Sequence, residues 1–262
     1  MKEHDVISYP NNFLSQVIIR IDFIEYIETR KLFNNDLIKI IRKHYTRQSL
    51  PIQTNYDSVN INMPKDSSKE PTINRNLKSG IAMDFIDTSM KNKITLTNKA
   101  MILEFNKYES FNNTIEIIAS LLLQLTNLSE FGSSRIGLRY INLFEQNRIK
   151  ISKTMFNQPI VNALYYKDNK TISEKYTLTR SMCLDEYVHN NAILNVRYGF
   201  YNPDYPGTLN KNDFAIDFDY FTQEPMQEEE EILSFIKEGH AVIQESFENI
   251  ITDKLRAKLN NE

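Results

Sequence analysis

The chain has 262 residues, 41% of them hydrophobic and 25% charged, with a net charge of −3, which disfavours a global attraction to nucleic acid or anionic lipid. Fifteen Phe and fourteen Tyr against six Gly predict an aromatic-rich core of a size between one large domain and two small ones. The lone cysteine, Cys183, rules out an internal disulfide, residues 1–5 show no apolar signal core, and the longest apolar run, residues 117–123 broken by Ser120, is too short to cross a bilayer; a cytoplasmic protein with no membrane partner is expected.

Residues 17–23 begin as a β-branched run and then alternate. Arg20 and Asp22 fall on one side, and Ile19, Ile21 and Phe23 on the other, the pattern of a half-buried strand. A helix is predicted over 35–47, with Phe33, Leu37, Ile40, Ile41 and His44 on one side and Lys39, Arg42, Lys43 and Arg47 opposite. Val59, Ile61 and Met63 alternate with asparagines as a strand, and residues 64–76 read as an exposed loop. Strands follow near 81–85, 94–96 and 101–105, joined by two hairpins. Ser110 is the expected N-cap of an apolar helix ending at Leu125, with Ile115, Ile118, Leu122 and Leu125 on one face. Residues 127–134, around Gly132, form the mid-chain boundary.

The second half opens with a strand at 135–142. Residues 176–184 and 192–200 pair as a hairpin about His189, Asn190 and Asn191, and 202–207 is a turn-rich loop. Residues 214–221 form a strand with Asp217 and Asp219 on one face. A helix over 226–259, bent near Gly239, carries four glutamates (228–231) at its positive end and Lys254, Arg256 and Lys258 at its negative end.

The two halves read alike: residues 15–21 match 134–140 with Ser and Arg in equal places, and each half closes with a strand followed by a helix. The expected fold class is α+β. One domain over 1–262 would comprise pseudo-repeated halves, about 13–126 and 134–259, each mainly antiparallel sheet ending in a helix, with a long C-terminal helix. The two sheets would share a core with the helices.

Catalytic signatures are missing. There is no phosphate-binding loop, dinucleotide fingerprint or serine elbow, and His4, His44, His189 and His240 lack metal-ligand spacing. No catalytic residue, metal or cofactor is expected. Asp217 and Asp219 project from one strand face, where paired carboxylates can hold a cation or share proton transfer. The same spacing marks any polar strand face, and with no third ligand the surface reading is favoured. Arg135 and Arg139 flank Gly137; such arginines bind phosphate or carboxylate bidentately, or pair internally with Asp217 or Asp219, the favoured alternative. Lys39, Arg42, Lys43 and Arg47 can meet a nucleic-acid backbone, but no recognition motif accompanies them. His44 and His240 read as helix packing or surface residues, and Cys183, in one hairpin with His189, as a small buried thiol.

The string Arg-Ile-Gly-Leu-Arg-Tyr-Ile-Asn at 135–142 resembles a hallmark of a sporadically distributed, functionally uncharacterised family of prokaryotic proteins of about this length. The first strand ending in Ile21-Asp22-Phe23, the Asp217-Phe218-Asp219-Tyr220-Phe221 strand, and a C-terminal helix with Phe247 and Ile251-Thr252-Asp253-Lys254-Leu255 are similar to the same family, so the resemblance spans nearly the whole chain. The lead-in Tyr9-Pro10-Asn11 is less proline-rich than the family's. The resemblance implies a single prokaryotic domain and supplies no catalytic residues. Its patchy distribution suits defence or mobile genes, which implies a protein that binds another molecule.

Three functions are therefore set against one another. The favoured one is a non-catalytic binding or regulatory protein acting through protein–protein contacts, of a defence or antitoxin-like accessory kind, with a homodimer formed through a second apolar stripe of the last helix. The second is an enzyme or ligand-binding domain for an anionic small molecule or nucleotide, using Arg135, Arg139, Asp217 and Asp219 in a cleft between the halves. The third is nucleic-acid binding through Lys39, Arg42, Lys43 and Arg47.

Overall fold

The computed structural model describes residues 9–62, 72–128, 130–165, 176, 179–207, 211 and 213–260. In chain order they form β1 (Leu14–Phe23), α1 (Thr29–Leu32), α2 (Asn35–Arg42), β2 (Arg47–Gln48), β3 (Ile52–Asn62), β4 (Thr72–Ile86), β5 (Asn92–Thr97), β6 (Ala100–Phe105) and α3 (Phe111–Leu125). The second half adds β7 (Ser133–Phe144), a 3-10 turn (Lys153–Met155), α4 (Ile160–Tyr165), β8 (Ser181–His189), β9 (Ala192–Phe200), β10 (Phe214–Thr222), α5 (Glu229–Ile250) and α6 (Asp253–Asn260). The fold is mixed α+β, and all ten strands join one antiparallel sheet in the order β2-β4-β5-β6-β1-β7-β10-β9-β8, with β3 beside β4.

The halves meet edge to edge through β1 and β7; they do not stack as two sheets. The pairing is centred on Ile19↔Leu138, with Ile18↔Arg139 and Arg20↔Gly137 on either side. Strand order runs β4-β5-β6-β1 in one half and β8-β9-β10-β7 in the other.

Alternation along the central strands sorts the side chains. Ile19, Ile21, Leu138, Tyr140, Ile216, Phe218 and their neighbours point to one face and are buried, where α3 and α5 cover them. Helix α5 lies so close that a Cβ on Gly239 would sit 2.6 Å from Tyr220 Cδ1. That glycine serves close packing, and the predicted bend near it is not the break observed. The predicted helix over 226–259 instead splits after Ile250. Ile251 takes an extended backbone (ψ 149°), is buried, and bridges Phe156, while the Thr252 N–H donates to the Met155 carbonyl. Core burial and a strand-like bridge outweigh helix continuation there. The expected cationic end belongs to α6, where Arg256 reaches back to the Glu248 carboxylate and carbonyl. The second apolar stripe, including Leu233, Val242 and Phe247, packs on the core.

The first predicted helix is shorter than its pattern. Asn34 caps α2 by accepting the Leu37 N–H at 2.8 Å, but α2 stops at Arg42 because Tyr45 turns into the core, 3% exposed. His44 thus lies in a turn, exposed. Ser110 caps α3 as expected, accepting the Asn113 N–H at 3.2 Å. The hairpins β4–β5–β6 form as predicted; β8–β9 turns where expected, but β8 runs over Ser181–His189, later than the predicted 176–184, because its pairing with β9 continues up to the turn. Residues 72–76, expected in a loop, belong to β4; residues 1–5, Met63 and 64–71 lie outside the described residues.

Candidate functional site

The sheet face opposite α3 and α5 receives the alternate side chains, and at its centre these are charged. Arg139 donates from Nε to Asp217 Oδ1 and from Nη2 to Asp217 Oδ2, both at 2.8 Å. Arg197, on β9, approaches Asp217 at 3.4 Å and Asp219 at 3.6 Å. Asp219 also faces Arg135 at 3.9 Å, Arg135 faces Asp22 at 3.9 Å, and Asp22 accepts from Arg20 at 2.7 Å. Four arginines and three aspartates thus alternate across β1, β7, β10 and β9. Arg135 lies over the Phe221 ring at 4.8 Å and against the space a side chain on Gly137 would fill, 3.1 Å from Arg135 Nη1.

The preference for an internal Arg–Asp pair is met by this geometry, whereas the surface reading of Asp217 is not. Its side chain is 8% exposed. The Asp217 hydrogen bonds raise the Arg139 pKa above its ordinary value, so this guanidinium stays charged. Among the described residues no three His, Cys, Asp or Glu side chains gather as metal ligands.

Beside this network a pocket of about 570 Å³ opens, lined by Arg139, Arg180, Arg197, Asp217, Tyr201 and Tyr205 among others. Arg180 lies over the Tyr205 ring at 5.3 Å and has no carboxylate partner among the described residues. Three guanidiniums face one aspartate. Of the four predicted residues, Arg139 and Asp217 line this pocket, while Arg135 and Asp219 stand outside it and connect through Arg197. The pocket also takes Ser15 and Gln16 from the first half.

Arg197 was open to sequence reasoning, since Leu194, Val196 and Tyr198 alternate with it. Arg180 falls inside the predicted strand 176–184 without standing out there, and β8 begins one residue after it.

No protein-family model matches the chain. No curated protein and no solved structure matches it either. The family resemblance therefore rests on the sequence stretches that carry it, residues 135–142 and the three others.

The basic helix face does not assemble as predicted. Lys39 and Arg42 lie on α2, Lys43 in the following turn and Arg47 on β2. All four are exposed. Lys39 stands 3.6 Å from Asp36, and Arg42 donates to Gln48. Cys183 is half-buried, its thiol pKa raised by burial; His189 lies six residues along β8, about 20 Å away, too far for a nucleophile pair.

Proposed function

We propose that the chain is a binding protein without catalytic residues, whose ligand is an anionic small molecule of nucleotide size. The observation that carries this reading is the excess of guanidinium over carboxylate in the pocket: Arg139, Arg180 and Arg197 against Asp217. Asp217 holds two of these arginines in place and leaves further N–H donors for a phosphate or carboxylate. The partly exposed rings of Tyr201 and Tyr205 offer a stacking surface for a planar group, and the volume lies in the usual range for small-molecule sites. Among the described lining residues no nucleophile–base pair accompanies the arginines, which favours recognition over turnover.

The test is to release and identify what travels with the protein. Chain purified from its native host, denatured and analysed by mass spectrometry, should release an anionic compound that the Arg180→Ala variant does not retain. Identical small-molecule profiles from both proteins would remove the proposal.

A protein partner is the second reading, favoured by the exposed side chains of Leu184, Tyr187 and Val188 on β8. Isolated apolar side chains are common on surfaces, but Leu184 and Val188 share one face of this edge strand, with Tyr187 on the other, and exposed apolar groups along an edge suit a contact. A stoichiometric partner captured by the wild type and lost on Val188→Asp would support it. We also propose that the halves descend from one duplicated unit with kinship to the family resembled at 135–142; the common strand order and the Ile19↔Leu138-centred pairing support this.

A further inference from the structure

The arginine pocket has a definite charge. Among its described lining residues Arg139, Arg180 and Arg197 stand against Asp217, a net of +2. The rest of the network leaves that balance unchanged, because Arg20 and Arg135, outside the lining, are matched by Asp22 and Asp219. Guanidinium groups keep their protons in proteins, so the positive excess is permanent.

The arginines are accessible to a ligand where they stand. Asp217 is the buried member of the cluster, its side chain 8% exposed, whereas those of Arg139 and Arg197 are 42% and 33% exposed. Both arginines point to one atom, Asp217 Oδ2, at 2.8 and 3.4 Å, so their remaining N–H groups fan out from a common point. Arg139 keeps three of its five N–H donors after its two bonds to Asp217. The neighbouring row of the sheet is apolar: Leu143 pairs with Ala215, and the row continues through Gly199 to Met182. Leu143, Ala215 and Met182 line the pocket. Charge is therefore concentrated at the guanidiniums, and the part of a ligand lying over this row is uncharged.

We propose, on the reading of this pocket as an anion site, that its ligand is a phosphate monoester in the dianionic form, with a neutral organic part. A carboxylate or a phosphodiester carries one charge and leaves the pocket half neutralised. A terminal phosphate brings nearly two charges and three strong acceptor oxygens. Those oxygens accept donors from several directions, which suits guanidiniums carried by β7, β9 and the segment before β8; a carboxylate accepts close to one plane.

The experiment titrates AMP, adenosine 5′-sulfate and adenosine calorimetrically into the full chain and into Arg180→Ala, at low salt and about pH 8, above the second phosphate pKa of about 6. The sulfate ester keeps the tetrahedral shape and terminal oxygens of AMP with one charge fewer, and so separates charge from shape. AMP should bind at least about tenfold more tightly than the sulfate ester. Arg180→Ala, which lowers the pocket to one positive charge, should narrow that ratio by at least about threefold, as expected for coupled charges. Equal binding of AMP and the sulfate ester, both tighter than adenosine, would overturn the dianion and leave the anion site standing. A ratio indifferent to Arg180→Ala would also overturn the dianion. Failure of AMP and the sulfate ester alike to bind more tightly than adenosine would overturn the anion site and the dianion with it. Should Arg180→Ala fail to fold, the wild-type ratio decides alone.

Discussion

Arg139 lies opposite Asp219 in the β7–β10 ladder, yet its guanidinium reaches past that residue to grip Asp217 with two 2.8 Å hydrogen bonds. The diagonal leaves Asp219 to Arg135 and Arg197, and it is why the charges form a connected line and not isolated pairs.

An asymmetry in stability follows from the unequal burial of the two partners. Arg139→Ala leaves an aspartate side chain that is 8% exposed without its two short hydrogen bonds, with Arg197 at 3.4 Å as its remaining ion-pair partner among the described residues, and should cost about 1–3 kcal/mol. Asp217→Ala leaves Arg139, 42% exposed, which water can solvate, and should cost about 1 kcal/mol or less. Urea unfolding midpoints compare them; equal losses would contradict the assignment of the burden to Asp217.

Gly239→Ala should destabilise the chain even though alanine is the better helix former by about 1 kcal/mol. The new Cβ would meet Tyr220 at 2.6 Å, and that ring is held by stacking on Phe235 and by its bond to Glu238. Overpacking of this kind costs about 1–3 kcal/mol. Calorimetry should show a lower Tm; a higher one would mean that α5 can lift off β10.

Stability should also fall as the pH drops from about 6.5 towards 4. The unfolded His240 takes up its proton near 6.5, whereas burial holds the folded group to about 4, so protons favour unfolding across that window by about 2–3 kcal/mol in all. The groups facing it, the Tyr108 and Tyr140 hydroxyls, have pKa values pushed upward and stay neutral there. His240→Phe should flatten the upper part of this window, where carboxylates contribute least; an unchanged slope in unfolding free energy against pH would assign the effect elsewhere.

The alternating strands were legible because each has one face on the core: residues 214–221 and 17–23 declare their inward and outward sides by residue type alone. Arg135 and Arg139 stood out by the same rule, and so did their pairing with Asp217 and Asp219. What escaped depends on contacts distant in the chain. Ile251 leaves the helix for Phe156, nearly a hundred positions earlier, and Tyr45 ends α2 by entering the core; no local pattern encodes either. Arg180 fell in a predicted strand but reaches the site because β8, which starts just after it, borders β9, in a register that the segment itself does not announce. His240 looked like an ordinary helix residue, since neither its stacking on Phe111 nor its buried, unpartnered Nε2 has a local signature.

Arg180→Ala separates binding from folding. Its side chain is exposed and pairs with no carboxylate among the described residues, so the variant should unfold within about 0.5 kcal/mol of the wild type. A larger loss would show that Arg180 supports the fold.

The measurement that bears most directly on the arginine pocket is calorimetric titration of AMP and adenosine into the wild type and Arg180→Ala at low salt. AMP should bind saturably and adenosine should not, and AMP affinity should be at least about tenfold weaker in the variant, as expected for loss of a charge-assisted contact. Equal binding of AMP and adenosine, AMP affinity indifferent to Arg180, or no AMP binding at all would contradict the reading of this pocket as an anion site.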